Sequence, residues 1–206
     1  MSKENISIPT PDCTQLHIYL EKWNTLESYK LQENALDKLF FETYPRNNDI
    51  NDILIKASSL NDFYSTNILS IFSIAKHILK LNVDDRLKNG DLTLVNDIAK
   101  GHGVISSKNK KEIEFYSFAS KYCSHHQPLK FAIYDSFVDD ILRYFRNKGE
   151  LYNFKNEDLK DYKTFTEILN AFNNYYSLNT NLKSLDKYLW QLGREYFPKK
   201  YKNVRY

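Results

Sequence analysis

Apolar side chains recur at three- and four-residue spacing along most of this chain, and no stretch alternates apolar and polar residues as a half-buried strand requires. That periodicity constrains the fold most, because each helix must find a partner for its buried stripe. Only five glycines and five prolines interrupt 206 residues, too few for a turn-dense β-sandwich. The reading is an all-α bundle of about seven or eight helices, forming a single domain over 1–206.

The segment 14–43 spaces Leu16, Leu20, Trp23, Leu26, Leu36, Leu39 and Phe40 as one long or one broken helix. Pro45 disfavours helix before it, and Asn47-Asn48-Asp49 offers an N-cap to a helix carrying Ile50, Ile53, Leu54, Ala57 and Leu60. The run from Ile68 to Leu81 is apolar over most of its surface and reads as a buried central helix. Next come a turn at Asn89-Gly90 and a short helix with Leu94, Val95 and Ile98 inward, ended by Gly101. A helix from about Lys110 to His125, a loop at Pro128 and a helix from Asp135 or Ser136 to Asn147 are predicted after it. Two more amphipathic helices occupy 157–197, before a basic tail, PKKYKNVRY.

Several function classes drop out. No run approaches the ~18 to 20 apolar residues of a membrane span, and the start, MSKENISIPTPDC, lacks the apolar core of a secretory signal. Cys13 and Cys123 are the only cysteines, so a four-cysteine cluster is excluded and reduced thiols in a cytoplasm are expected. Neither a phosphate-cradling glycine loop nor a G-x-S-x-G elbow occurs. Cys123, His125 and His126, with His102, match no common zinc spacing. No metal and no cofactor are expected. The net charge of +3 decides nothing about partners.

The stretch from Ser120 to Val138, SKYCSHHQPLKFAIYDSFV, concentrates the remaining chemistry. Asp135 stands where a helix begins, as an N-cap or as a carboxylate that the helix dipole keeps ionised. Lys121 lies in a helix turn with Phe118, Ala119 and Tyr122. Partial burial there would depress its pKa and prepare a Schiff-base amine, unless the side chain snorkels to solvent. Cys123 is a nucleophile only in an electropositive setting, and otherwise a core thiol.

The order helix, Pro-containing loop, short extended step, Asp, helix in FASKYCSHHQPLKFAIYDSFVDDIL resembles the catalytic segment of the helix-hairpin-helix DNA glycosylases, the superfamily of endonuclease III and 8-oxoguanine DNA glycosylase. A weaker likeness lies upstream, where FYSTNILSIFSIAKHI is similar to a polar run heading a buried helix. Together the matches span roughly Ile50 to Phe145, so that a glycosylase-like core about 50–147 is flanked by the N-terminal helix and the C-terminal helices.

The resemblance implies a catalytic role for Asp135 in stabilising positive charge on the sugar as the bond to an extruded base breaks. Tyr116, Ser117, Tyr134 and His125 would line the base pocket. Ser65, Thr66 and Asn67 fall where the family fills the hole left in the duplex, although Ser65 or Thr66 could equally cap the helix that follows. Lys108, Lys110 and Lys111 are expected as phosphate contacts, or as a solvated helix start.

Where many members carry a nucleophilic lysine this chain has Tyr116 and Ser117, and the glycine turn is represented only by Gly101-His102-Gly103. The resemblance therefore implies a monofunctional enzyme with water attacking, unless Lys121, Lys110 or Lys111 supplies the amine. The expected partner is double-stranded DNA, with a damaged or modified base removed in repair or anti-phage defence. The alternative is a module that keeps the fold without catalysis and binds nucleic acid or protein.

Overall fold

The computed structural model describes residues 7–151 and 153–199. Among them are ten α-helices and no strand longer than an isolated bridge. The architecture is all-α, with ten helices rather than seven or eight. They are α1 (Cys13–Thr25), α2 (Glu27–Asp37), α3 (Ile50–Phe63), α4 (Ile71–Leu81), α5 (Val83–Asn89), α6 (Thr93–Ala99), α7 (Tyr116–His126), α8 (Ser136–Asn147), α9 (Tyr162–Tyr175) and α10 (Leu182–Tyr196). One apolar core gathers residues from Ile8 to Leu192.

The extra helices come from breaks that the apolar spacing does not reveal. The long N-terminal helix divides at Leu26, just after Thr25 Oγ1 turns back to bond Lys22 O at 2.8 Å. Such a side-chain bond competes with the helical ladder. After α2 the chain widens into a π-helical turn, Lys38–Thr43, which drives Phe40 into the core against Tyr122 and His126 before Pro45 ends it. Asp49 caps α3 by accepting from Asn51 N at 2.7 Å. Asn82 and Gly90, both left-handed, set the corners around α5.

The central helix is α7, not the apolar run from Ile68. That run begins its helix only at Ile71 and leaves Phe72 exposed. In α7 every residue from Phe118 to His126 is buried although five of the nine are Ser, Lys or His. A polar helix can sit in a core when each polar group meets a partner there, and distant segments supply them. Ser120 Oγ accepts from Tyr134 N at 3.0 Å and donates to Ser117 O at 3.0 Å.

The expected helix start at Lys110 is instead the end of a hairpin joining α6 to α7. Ile105 bridges Glu112, Ser106 N donates to Lys111 O at 2.8 Å, and Lys110 is left-handed at the turn. At the other end of the molecule α10 crosses α8 closely at Gly193, where a Cβ would lie 2.6 Å from Phe137 Cβ. That approach fixes the beginning of α8 against α10. Residues 1–6 of the polar leader and the basic tail from Lys200 lie outside the described residues.

Candidate functional site

The extended step Phe131 to Tyr134 is clamped along α7. Tyr134 N bonds Ser120 Oγ, and Tyr162 donates its hydroxyl to Ala132 O at 2.7 Å. The clamp delivers Asp135 to the start of α8, where its Oδ1 caps the helix by accepting from Phe137 N at 2.8 Å. Its Oδ2 faces Lys121 Nζ at 3.6 Å, with the side chain of Asp135 21% exposed and that of Lys121 2%. Capping and pairing coexist, one on each oxygen.

Lys121 does not snorkel. Its ammonium donates to Ser117 Oγ at 2.6 Å and to Tyr134 O at 3.2 Å, and the Tyr64 ring lies over it with its centroid 5.1 Å away. Burial pushes the Lys121 ammonium below its ordinary pKa, against the pull of Asp135. Tyr64 is itself held by His125, hydroxyl to Nε2 at 2.9 Å. Burial lowers the His125 imidazole to about 3, so it is a neutral ring at physiological pH.

Ser117, Lys121, Asp135, Tyr64, His125 and the carbonyl of Tyr134 therefore form one group. The side chains of Tyr116 and Tyr134 turn elsewhere: the rings pack on each other at 4.8 Å, and the Tyr134 hydroxyl bonds Asp139 and Lys160. Cys123 is buried, with its thiol pushed well up by burial. His126 faces Lys56 rather than the site.

The turn after α3 forms one wall. Ser65 and Asn67 are left-handed, and Asn61 organises the loop by accepting from Thr66 Oγ1 and Ile68 N at 2.6 and 2.9 Å. Neither Ser65 nor Thr66 caps α4, whose N-cap is Ser70. The turn leads to Leu69, which is 100% exposed, and starts after Tyr64, which is 37% exposed. In the sequence nothing marks Leu69, because an apolar residue in an apolar run is indistinguishable from core.

Lys108, Lys110 and Lys111 are exposed on the hairpin. At its base Gly101 and Gly103, both with positive φ, aim their amides at one anion, the Glu112 carboxylate, at 3.1 and 2.7 Å. Those bonds, Gly103's first, lower the Glu112 pKa.

From α10 comes a group that sequence spacing does not single out. Lys183 and Lys187 pair with Glu33 at 3.1 and 2.8 Å, and Lys183 also meets Asp37 at 3.4 Å. Between them Asp186 shields Oδ1 completely, without a hydrogen-bond partner among the described residues. Its carboxyl is pushed up to about 7 by burial and then by the charge of Asp135.

The model of a protein family described as HI_0787_N, an N-terminal domain, matches residues 15–130. The chain belongs to the HI_0787_N family. A Haemophilus influenzae protein described as uncharacterized is 47% identical to it over 151 residues, 73% of this chain and 70% of that protein. No solved structure matches the chain. The HI_0787_N region holds Tyr64, the hairpin and Lys121, whereas Asp135 and Asp186 follow it. The buried group thus joins the family domain to the helices after it.

Proposed function

We propose that this HI_0787_N protein is a DNA base glycosylase that cleaves the N-glycosidic bond of a damaged or modified base, in repair or anti-phage defence. The observation that carries the reading is the Lys121 ammonium, buried and pushed down in pKa, 3.6 Å from an Asp135 carboxylate fixed at the start of α8. A desolvated lysine is a competent nucleophile once it loses its proton. A carboxylate fixed beside it stabilises positive charge on a sugar carbon. Lys110 and Lys111, exposed on the hairpin, have neither preparation. Within this reading Lys121 is favoured over water as the group that attacks the sugar. Leu69 and the Ser65 to Asn67 turn face the duplex, and the hairpin lysines contact phosphates.

The test is incubation with duplexes carrying a panel of damaged and phage-type modified bases, scored for free base. Asp135→Asn should lower release by about 10²- to 10³-fold and leave DNA affinity near native. Equal release by this variant would sink the proposal.

A second reading, a binding module without catalysis, is favoured by Glu112. Its carboxylate already occupies the Gly101 and Gly103 amides that could otherwise hold a phosphate. That reading expects nucleic-acid or protein binding that survives Asp135→Asn, with no base freed from any duplex.

A further inference from the structure

The charges around Tyr64 do not balance. Four carboxyl groups, Glu33, Asp37, Asp135 and Asp186, share this space with three ammonium groups, Lys121, Lys183 and Lys187. Glu33 and Asp37 take Lys183 and Lys187, and Asp135 takes Lys121 together with the Phe137 amide. Asp186 is the carboxyl left over, and its buried Oδ1 has no partner among the described residues. An unpaired charge there loses its solvation, and a carboxyl avoids that cost by keeping its proton.

The groups facing Asp186 come from every side. The N-cap of α8 presents Asp135, α7 Lys121, the residue after α3 Tyr64, and α2 Glu33, while α10 itself adds Lys187; His125, Asp37 and Lys183 are bound in turn to Tyr64 and Glu33 or to one another. Lys22 of α1 is engaged with Glu195 further along α10. Burial first, then Asp135, raise the carboxyl to about 7 against the opposing pull of Lys121 and Lys187. One site thus holds two carboxyls in opposite surroundings, one bonded to an amide and paired with an ammonium, the other with a buried oxygen that no donor among the described residues bonds. Paired carboxyls pushed apart in this way divide the roles of acid and base.

We infer that Asp186 is the general acid of this site, giving its carboxyl proton to the departing base. The inference rests on the glycosylase reading and adds to it a second catalytic carboxyl from α10. In the step, the bond from C1′ to the base nitrogen breaks and its electron pair leaves on the base. The Asp186 proton passes to the base, so the base departs neutral and Asp186 becomes a carboxylate. Lys121, its ammonium having first given one proton to solvent, forms the new bond to C1′ as the neutral amine, and the proton it sheds on bonding returns to Asp186. The products are the free base, the Lys121 adduct of the sugar and the one proton that the ammonium released.

The experiment is single-turnover base release between pH 5 and 9 by the native protein and Asp186→Asn. The probes are duplexes carrying uracil, 5-hydroxymethyluracil or 8-oxoguanine, and one carrying 7-methylguanine, whose cationic base leaves neutral without an acid. Native release of the neutral bases should fall as pH rises above about 7. Asp186→Asn should slow that release by about 10²-fold, lose the fall, and release 7-methylguanine near the native rate. Normal 7-methylguanine release also shows that the variant is folded. An unchanged rate and pH profile on the neutral bases would overturn the inference alone, as would equal loss on neutral and cationic bases. No base freed from any duplex by the native protein would overturn the glycosylase reading, and this inference with it.

Discussion

Lys56 and Lys121 are both buried in helices that meet in the core, and their surroundings differ as the proposed function requires of a structural lysine and a chemical one. Lys56, 0% exposed, donates to Tyr44 O, Arg46 O and Asn47 Oδ1 at 2.9, 2.7 and 2.7 Å. Three N–H groups meet three oxygens, and His126 Nε2 closes the shell at 3.3 Å. Lys121 has two neutral acceptors, a carboxylate at longer range and an aromatic face. Burial lowers both pKa values, that of Lys56 to about 8, so desolvation alone does not mark a nucleophile. What distinguishes Lys121 is a carboxylate in its shell, beneath a ring that stands just before a left-handed turn.

Substitutions should break the two lysines apart. Lys121→Met is expected to reduce base release by about 10³-fold or more, a loss far larger than its lowered thermal midpoint accounts for when activity is taken per folded molecule. Lys56→Met is expected to cost about 3 kcal/mol in a denaturant titration, because three buried acceptors lose their donor. Its activity per folded molecule should stay native. If Lys56→Met were stable and inactive and Lys121→Met active, the comparison would be reversed.

The beginning of α8 can be moved without touching either lysine. Gly193→Ala sets a Cβ against Phe137 and its backbone, an overpacking expected to cost about 1 to 3 kcal/mol. Base release should fall with it, since Asp135 and Asp186 lie on the two helices that cross there. Full stability together with full activity would show that the crossing does not position the site.

The histidines give the comparison a pH dependence. His125 is lowered to about 3 and His126 well below its ordinary value, both by burial. The unfolded chain, with histidine near ~6.5, therefore binds more protons than the fold as pH drops. Stability should decline from about 6.5 toward about 3, and His125→Phe should flatten that decline in acid titrations followed by circular dichroism. A native protein equally stable at pH 7 and pH 4 would contradict the buried neutral rings. The smallest effect is expected for Tyr64→Phe, about 1 kcal/mol for the lost bond to His125, with faster reductive alkylation of Lys121 as its cover loosens.

Much of the frame is written locally. Asp49, Gly90 and Asp135 act where their neighbours along the chain predict, because caps and left-handed corners depend on a few adjacent residues. The central position of α7 is not, since Lys, Ser and His on a helix read as surface until Tyr134 and the Tyr64 turn, one from each side of the sequence, complete them. The hairpin was equally hidden: the KNKKEIE run suits a helix start, and only the pairing of Glu112 with Gly101 and Gly103 turns it back. Asp186 became a candidate through the crossing of α10 over α8, which no spacing between positions 135 and 186 encodes.

If Lys121 is the amine that bonds the sugar carbon, its adduct can be trapped. Borohydride added during incubation with the modified-base duplexes, followed by peptide mass analysis, tests it directly. A covalent DNA adduct is expected on Lys121 in the native protein and none in Lys121→Met. Free base released at full rate without any adduct, or an adduct on Lys110 or Lys111, would contradict it.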